Sequence, residues 1–184
     1  MTKRLLAAAL APVLMMTTGC IAIDATETPA LAAPTAPVGA INRIAIPGSD
    51  FPISSGVVIP PGAEIYYVSG IVPSIIDTEA DPDSREAYGD TRQQTISVLS
   101  TMKQTMEAAG WSLGDIVMMR VYLVGDEATG GRLDFAGFMA GYSEFFATPE
   151  QPNKPARAVV QVAELIRPGW RVEIEAQAAR VPTE

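Results

Sequence analysis

The chain has 184 residues, 48% hydrophobic and 18% charged, which fits one globular domain with a short leader and excludes a disordered polymer. A formal charge of −8 weighs against a non-specific nucleic-acid binder, which needs clustered Lys and Arg to displace counterions from phosphates. There is no histidine and one cysteine, Cys20, which removes a Ser-His-Asp triad, an internal disulfide and a cysteine-rich metal centre. Any catalysis must then run on Arg, Lys, Glu, Asp, Tyr, Ser or backbone groups.

Lys3 and Arg4 precede an uncharged apolar run over residues 5–16, followed by Thr17-Thr18-Gly19-Cys20. A basic start, a short apolar stretch and small residues form the pattern of a secretory signal peptide, and the run is too short to span a bilayer comfortably. Cysteine directly after glycine resembles a bacterial lipobox, whose cysteine is acylated on sulfur and becomes the mature N-terminus. Thr17 departs from it, standing where leucine is usual. The expectation is a lipoprotein signal peptide over 1–19 and lipidation at Cys20, with the protein anchored to a membrane and facing the periplasm or the cell exterior. The plainer alternative is an ordinary signal peptide with an incidental cysteine. Loss of Lys3 and Arg4 with the leader would take the charge to −10. Residues 20–41 are rich in Ala, Pro and Thr without periodicity, which predicts a tether. The folded domain is expected over 42–184.

Short β-type runs over 43–46, 56–59 and 65–68, separated by Pro and Gly, predict hairpins or a meander. Asp90-Thr91-Arg92-Gln93 then opens a helix in which Asp90 caps free N–H groups and Gln93 completes a capping box. Thr95, Val98, Leu99, Met102, Met106 and Ala109 give it one apolar face, and Gly110 supplies the stop. Residues 116–124 are apolar throughout except at Arg120, as in a central strand. Phe135, Phe138, Met139, Tyr142, Phe145 and Phe146 predict a second helix with a core-facing stripe. Two strands close the chain over 158–162 and 171–179, the latter alternating Val172, Ile174, Ala176 and Ala178 with Arg171, Glu173, Glu175 and Gln177. The order β-β-α-β-α-β-β, with room for an extra N-terminal strand, puts two helices on one sheet face and leaves the other to solvent or another subunit.

Tyr67-Val68-Ser69-Gly70, residues 90–110, Gly114-Asp115-Ile116-Val117, residues 142–146, Pro155-Ala156-Arg157 and Val172-Glu173-Ile174-Glu175-Ala176 together resemble the Rid/YjgF family of imine/enamine deaminases. Some of its members have been described as ribonucleases. The resemblance covers about 44–180. It implies a chorismate-mutase-like α+β domain with a mixed six-stranded sheet and two helices on one face, assembled as a homotrimer with active sites between subunits. It places Arg157 as the arginine that forks onto a substrate carboxylate and Glu173 as the glutamate that positions water. Ser69 and Gly70 line the pocket, and Val159 offers backbone contacts to the ligand. The chemistry implied is hydrolysis of small 2-imino or enamino acids to 2-keto acids and ammonia, with no cofactor or metal.

Three positions depart from the family pattern. Ile53 stands where the best-known deaminases have a pocket tyrosine, Met139 where they have an asparagine, and Val159 where cysteine is common. The changes make the pocket more apolar, remove a hydroxyl and imply altered or bulkier substrates, or weaker deaminase activity on the standard small ones. Residues 73–88 look longer and more acidic than usual and suggest a lid or rim. Lys154 and Arg171 are candidates for attracting anions, whereas Tyr67 and Tyr142 read as packing residues. Arg157 has a structural alternative, an internal ion pair with Glu173 or Glu175. The functional alternative is a non-catalytic trimer that binds small carboxylates or protects under stress.

Overall fold

The computed structural model describes residues 39–182. The leader, Cys20 and all but the last residues of the expected tether lie outside that range.

Three strands come first: β1 (Asn42–Ala45), β2 (Ser54–Val58) and β3 (Glu64–Ile71). Helix α1 (Thr91–Ala108), β4 (Ile116–Val124), α2 (Phe135–Tyr142), β5 (Ala156–Val162) and β6 (Val172–Arg180) follow. The extra N-terminal strand is therefore present. Four strands form one sheet in the order β3-β6-β4-β5, in which only the β4–β5 pair is parallel.

The anticipated six-stranded sheet is divided: β1 and β2 form a separate two-stranded antiparallel hairpin. Ser54 joins it to the residues leading into β5: its amide donates to the Pro155 carbonyl (2.9 Å) and its hydroxyl to the Lys154 carbonyl (2.6 Å). Pro155 has no N–H to return, so a ladder cannot begin there. Arg43 on β1 secures the hairpin instead. Its guanidinium donates to the carbonyls of Ile116 (2.8 Å), Gly114 (2.7 Å) and Lys154 (3.2 Å).

The core lies between the sheet and the helices. On β6, Val172, Ile174, Ala176 and Ala178 are buried beneath α1 residues Val98, Leu99, Met102 and Met106. Period-two alternation sends Glu173, Glu175 and Gln177 to the opposite face. Strand β4 lies between β5 and β6, with Arg120 its one exposed residue, as expected of a central strand. The helices approach closely at Gly141, where a Cβ would sit 2.8 Å from the Thr95 Cβ. The second helix is shorter than its stripe suggests, stopping at Tyr142. Phe145 and Phe146 belong to the turns beyond it, ahead of Ala147 at φ 58°. Phe146 still reaches the core, stacked on Tyr142 at 4.7 Å.

Residues 73–88 form a loop that is packed at its base. The Ile76 amide donates to the Ala87 carbonyl (2.7 Å), Ala87 and Tyr88 are buried, and Arg85 pairs with Asp126 at 2.6 Å. The open sheet face carries Tyr67, 71% exposed, together with exposed Ile65 and Val160. At its centre Arg120 and Tyr122 both donate to Glu175 (3.0 and 3.1 Å).

The capping box of α1 is formed as its sequence predicts: the Gln93 amide donates to the Asp90 carboxylate (2.8 Å), and the Asp90 amide to the Gln93 side chain (3.0 Å). Asp90→Ala is expected to lower the unfolding free energy by about 1 kcal/mol and Asp90→Asn by a fraction of that. Denaturant titration at unchanged m-value checks both.

Candidate active site

Arg157 stands near the start of the edge strand β5, with its side chain on the helix side of the sheet. Its Cζ lies 4.2 Å from the centroid of the Tyr142 ring, 5.0 Å from Phe138 and 5.6 Å from Phe51. A guanidinium is planar and more weakly hydrated than an ammonium, so it stacks on aromatic faces at a lower desolvation cost. Nη2 makes a 3.2 Å contact to the Met139 sulfur. Nη1 is buried and has no hydrogen-bond partner among the described residues. Burial lowers the guanidinium pKa from its ordinary value, yet arginine stays charged at any pH a folded protein meets.

The Tyr142 hydroxyl donates to the Pro52 carbonyl (2.9 Å), which pins the β1–β2 connection over the guanidinium. Burial pushes that hydroxyl well above the ordinary tyrosine range, against the opposing charges of Arg157 and Arg43. Ile53 follows on the same connection, half-buried, its amide donating to the Phe51 carbonyl (2.8 Å). Val159, two residues beyond Arg157, packs against the core from the same face of β5. The structure thus gathers Arg157, Met139, Val159 and the turn bearing Ile53 into one apolar surround.

Glu173, Ser69 and Gly70 are gathered elsewhere. Ser69 and Gly70 form an irregularity in β3, between the paired residues Val68 and Ile71. Gly70 is tightly approached: a Cβ there would fall 2.1 Å from a carboxylate oxygen of Glu173. Glu173 also lines a cavity of about 630 Å³ with Val124, Leu165, Ile166 and Pro168. This second cluster is on the open face. Strand β6 is separated from β5 by β4, so the two clusters are roughly 10 Å apart across the sheet and on opposite sides of it. Within one chain no small molecule touches both Arg157 and Glu173.

Neither internal ion pair considered for Arg157 is formed, because both glutamates face the other side and Glu175 is taken by Arg120. Arg171 is not near Arg157 either. Its Nη1 donates to the Pro168 carbonyl (2.6 Å), and its Nε is 4.0 Å from Asp126. Lys154 directs its ammonium to the Asp50 carbonyl (3.4 Å). Sequence reasoning missed Phe51 and treated Phe138 and Tyr142 as core. They are core, being 0% exposed, and they also hold the arginine.

The sequence profile of the family described as Endoribonuclease L-PSP matches residues 54–180. The chain belongs to the Rid/YjgF family. A RutC family protein of Saccharolobus solfataricus is 37% identical over 117 residues, covering 63% of this chain and 78% of that protein. TdcF of Escherichia coli K12, which carries the name of a reactive intermediate deaminase, is 34% identical over 125 residues, covering 65% and 91%. A Yersinia pestis structure assigned to the Rid family, YyfB, superposes with a TM-score of 0.58 at 22% identity, covering 77% of this chain and 99% of that one. At that identity the likeness concerns the fold, an α+β domain with two helices on a mixed sheet.

Burial leaves Tyr142 protonated in the native state to higher pH than in the unfolded chain. Above roughly pH 10 the unfolded chain then binds fewer protons than the native one, so stability falls as pH rises. Between about pH 9.5 and 11 the loss of unfolding free energy is expected to be shallower for Tyr142→Phe than for wild type. Denaturant titrations across that range measure it.

Proposed function

We propose that this protein hydrolyses 2-imino or enamino acids to 2-keto acids and ammonia, at sites shared between subunits of a homotrimer held outside the cytoplasm. The observation that carries the reading is the buried Nη1 of Arg157, a charged donor without a partner among the described residues. Leaving such a donor unpaired costs about 1–3 kcal/mol, which a ligand carboxylate would recover through a charge-assisted hydrogen bond.

The chemistry needs a second group. Water adds its oxygen to the imine carbon while the C=N π electrons move to nitrogen, which takes a proton. In the resulting tetrahedral adduct the hydroxyl proton is passed to nitrogen, the freed O–H electron pair forms the C=O bond as the C–N bond breaks, and ammonia leaves. Glu173 beside Gly70 is suited to hold that water and relay the proton. Since Arg157 and Glu173 occupy opposite sheet faces, the proposal requires them to meet across a junction between copies. The exposed Tyr67, Ile65 and Val160 on the open face suit burial in such a junction. The deaminase name of TdcF supports the same chemistry. A charge of −8 and the absence of histidine weigh against ribonuclease activity.

A trimer that only binds small carboxylates is favoured by one observation: the guanidinium meets three rings and a thioether, and the Tyr142 hydroxyl near it already donates to the Pro52 carbonyl. Ammonia release from freshly generated 2-imino acids separates the two readings. Wild type is expected to exceed buffer, and Arg157→Ala to lose at least about 100-fold in kcat/KM. Arg157→Ala and Glu173→Gln subunits, each inactive alone, should recover up to about a quarter of wild-type activity when co-assembled, because mixed rings restore some junctions. No recovery despite confirmed mixing would remove the shared site, and carboxylate binding without turnover in wild type would leave the binding role.

Export belongs to the same proposal and rests on Lys3, Arg4, the apolar run and Cys20. Mass spectrometry of the mature protein is expected to find a diacylglycerol-bearing Cys20 at its N-terminus. An unmodified N-terminus elsewhere would reduce the leader to a plain signal peptide or to none.

A further inference from the structure

Nη1 of Arg157 is buried, so a carboxylate reaches it only if a covering group moves. Phe138 and Tyr142 are 0% exposed and fixed in the core, and they cannot turn without opening it. Phe51 differs. It is 38% exposed and lies on the connection between β1 and β2, its ring centroid 5.6 Å from the guanidinium carbon. Its backbone is held: the Phe51 amide donates to the Ser49 hydroxyl (3.1 Å), its carbonyl accepts from Ile53 (2.8 Å), and Pro52 accepts from Tyr142 (2.9 Å). The ring can therefore turn about its own side-chain bonds while the main chain stays.

Of the three rings around Arg157, Phe51 is the one a bound molecule can touch. The side chains beside it bring no further charge to the guanidinium. Met139 offers a thioether, Val159 is aliphatic, and the Lys154 ammonium is directed to a backbone carbonyl. A second carboxylate on the ligand would be desolvated there without a partner, whereas an apolar side chain would gain contact.

We infer that Phe51 is a specificity-determining residue, which turns aside to uncover Nη1 and then forms the wall against which the substrate's side chain packs. The site thereby selects 2-imino acids with bulky apolar side chains over small or acidic ones. This rests on the deaminase reading above.

The test compares 2-imino acids generated from phenylalanine, leucine, alanine and glutamate, with wild type, Phe51→Ala and Phe51→Leu. Wild type is expected to favour the phenylalanine- and leucine-derived substrates by about tenfold or more in kcat/KM. In Phe51→Ala that ratio should collapse towards one, chiefly through KM, while Phe51→Leu keeps most of it. Thermal melts confirm that the variants fold. A wild type without preference, or a preference untouched in Phe51→Ala, overturns the inference. If wild type releases no ammonia from any substrate, the deaminase reading has failed on its own. Calorimetric binding of phenylpyruvate against pyruvate then decides selectivity, and equal affinity for both in wild type, or the same preference in Phe51→Ala, refutes it.

Discussion

A guanidinium set among aromatic rings beneath a sheet edge constrains everything around it. Arginine does not shed its charge, so burial must be offset by whatever surrounds it. Here the offset is incomplete: three ring faces and a thioether meet the cation, and one nitrogen remains without an acceptor. The rings also orient the fork. Tyr142 carries the guanidinium on its face and, through its hydroxyl, fixes the turn that brings Phe51 over it. Arg43 holds the other end of that hairpin through three carbonyls of the main body. Two arginines thus divide the work, one bonded to three carbonyl acceptors and structural, the other buried with one nitrogen unsatisfied.

The pleat of the sheet decides the rest. Successive side chains along a strand take opposite faces, so Arg157 shares its face with the helices while Glu173, beside buried Val172 and Ile174, faces away. No rotamer change brings them together. Any chemistry that uses both needs a second copy, and the open face has the composition for one: exposed aromatic and aliphatic side chains around an internally neutralised Arg120–Glu175 pair. A charge pair satisfied within its own face can be buried by a neighbour without stranding a charge, which is the usual obstacle to covering such a surface.

Much of this was legible beforehand because it is local or periodic. The capping box at Asp90, the left-handed Gly110 and the alternation of β6 each follow from a few adjacent residues. What was not legible depends on long-range contact. Nothing in Pro155 as a letter says that the hairpin meets β5 through one serine, and the apolar stripe on α2 reads equally well through Phe146 although the helix stops at Tyr142. The resemblance named Arg157 and Glu173 without revealing that one chain separates them. Phe51 had no periodic context at all. Its importance comes from the turn that Tyr142 anchors, and that contact spans 90 positions of sequence.

The apolar character of the surround alters what the arginine can do. In a wet pocket an arginine–carboxylate pair is worth little, because both ions are well solvated apart. Among rings and a thioether the attraction is stronger, but the ligand must first give up its own water. A ligand that brings apolar surface recovers that cost by covering the rings, and one that brings a second charge adds to it. The thioether of Met139 offers the ligand no strong hydrogen bond, so on the proposed reading orientation falls to Arg157. On the proposed reading, the polar partner for water comes from the neighbouring copy, where the Glu173 cavity opens between Val124 and the β5–β6 loop. Binding and water activation would then be assigned to different subunits, so a chain too acidic to hold anions by its overall field could still bind one at each junction.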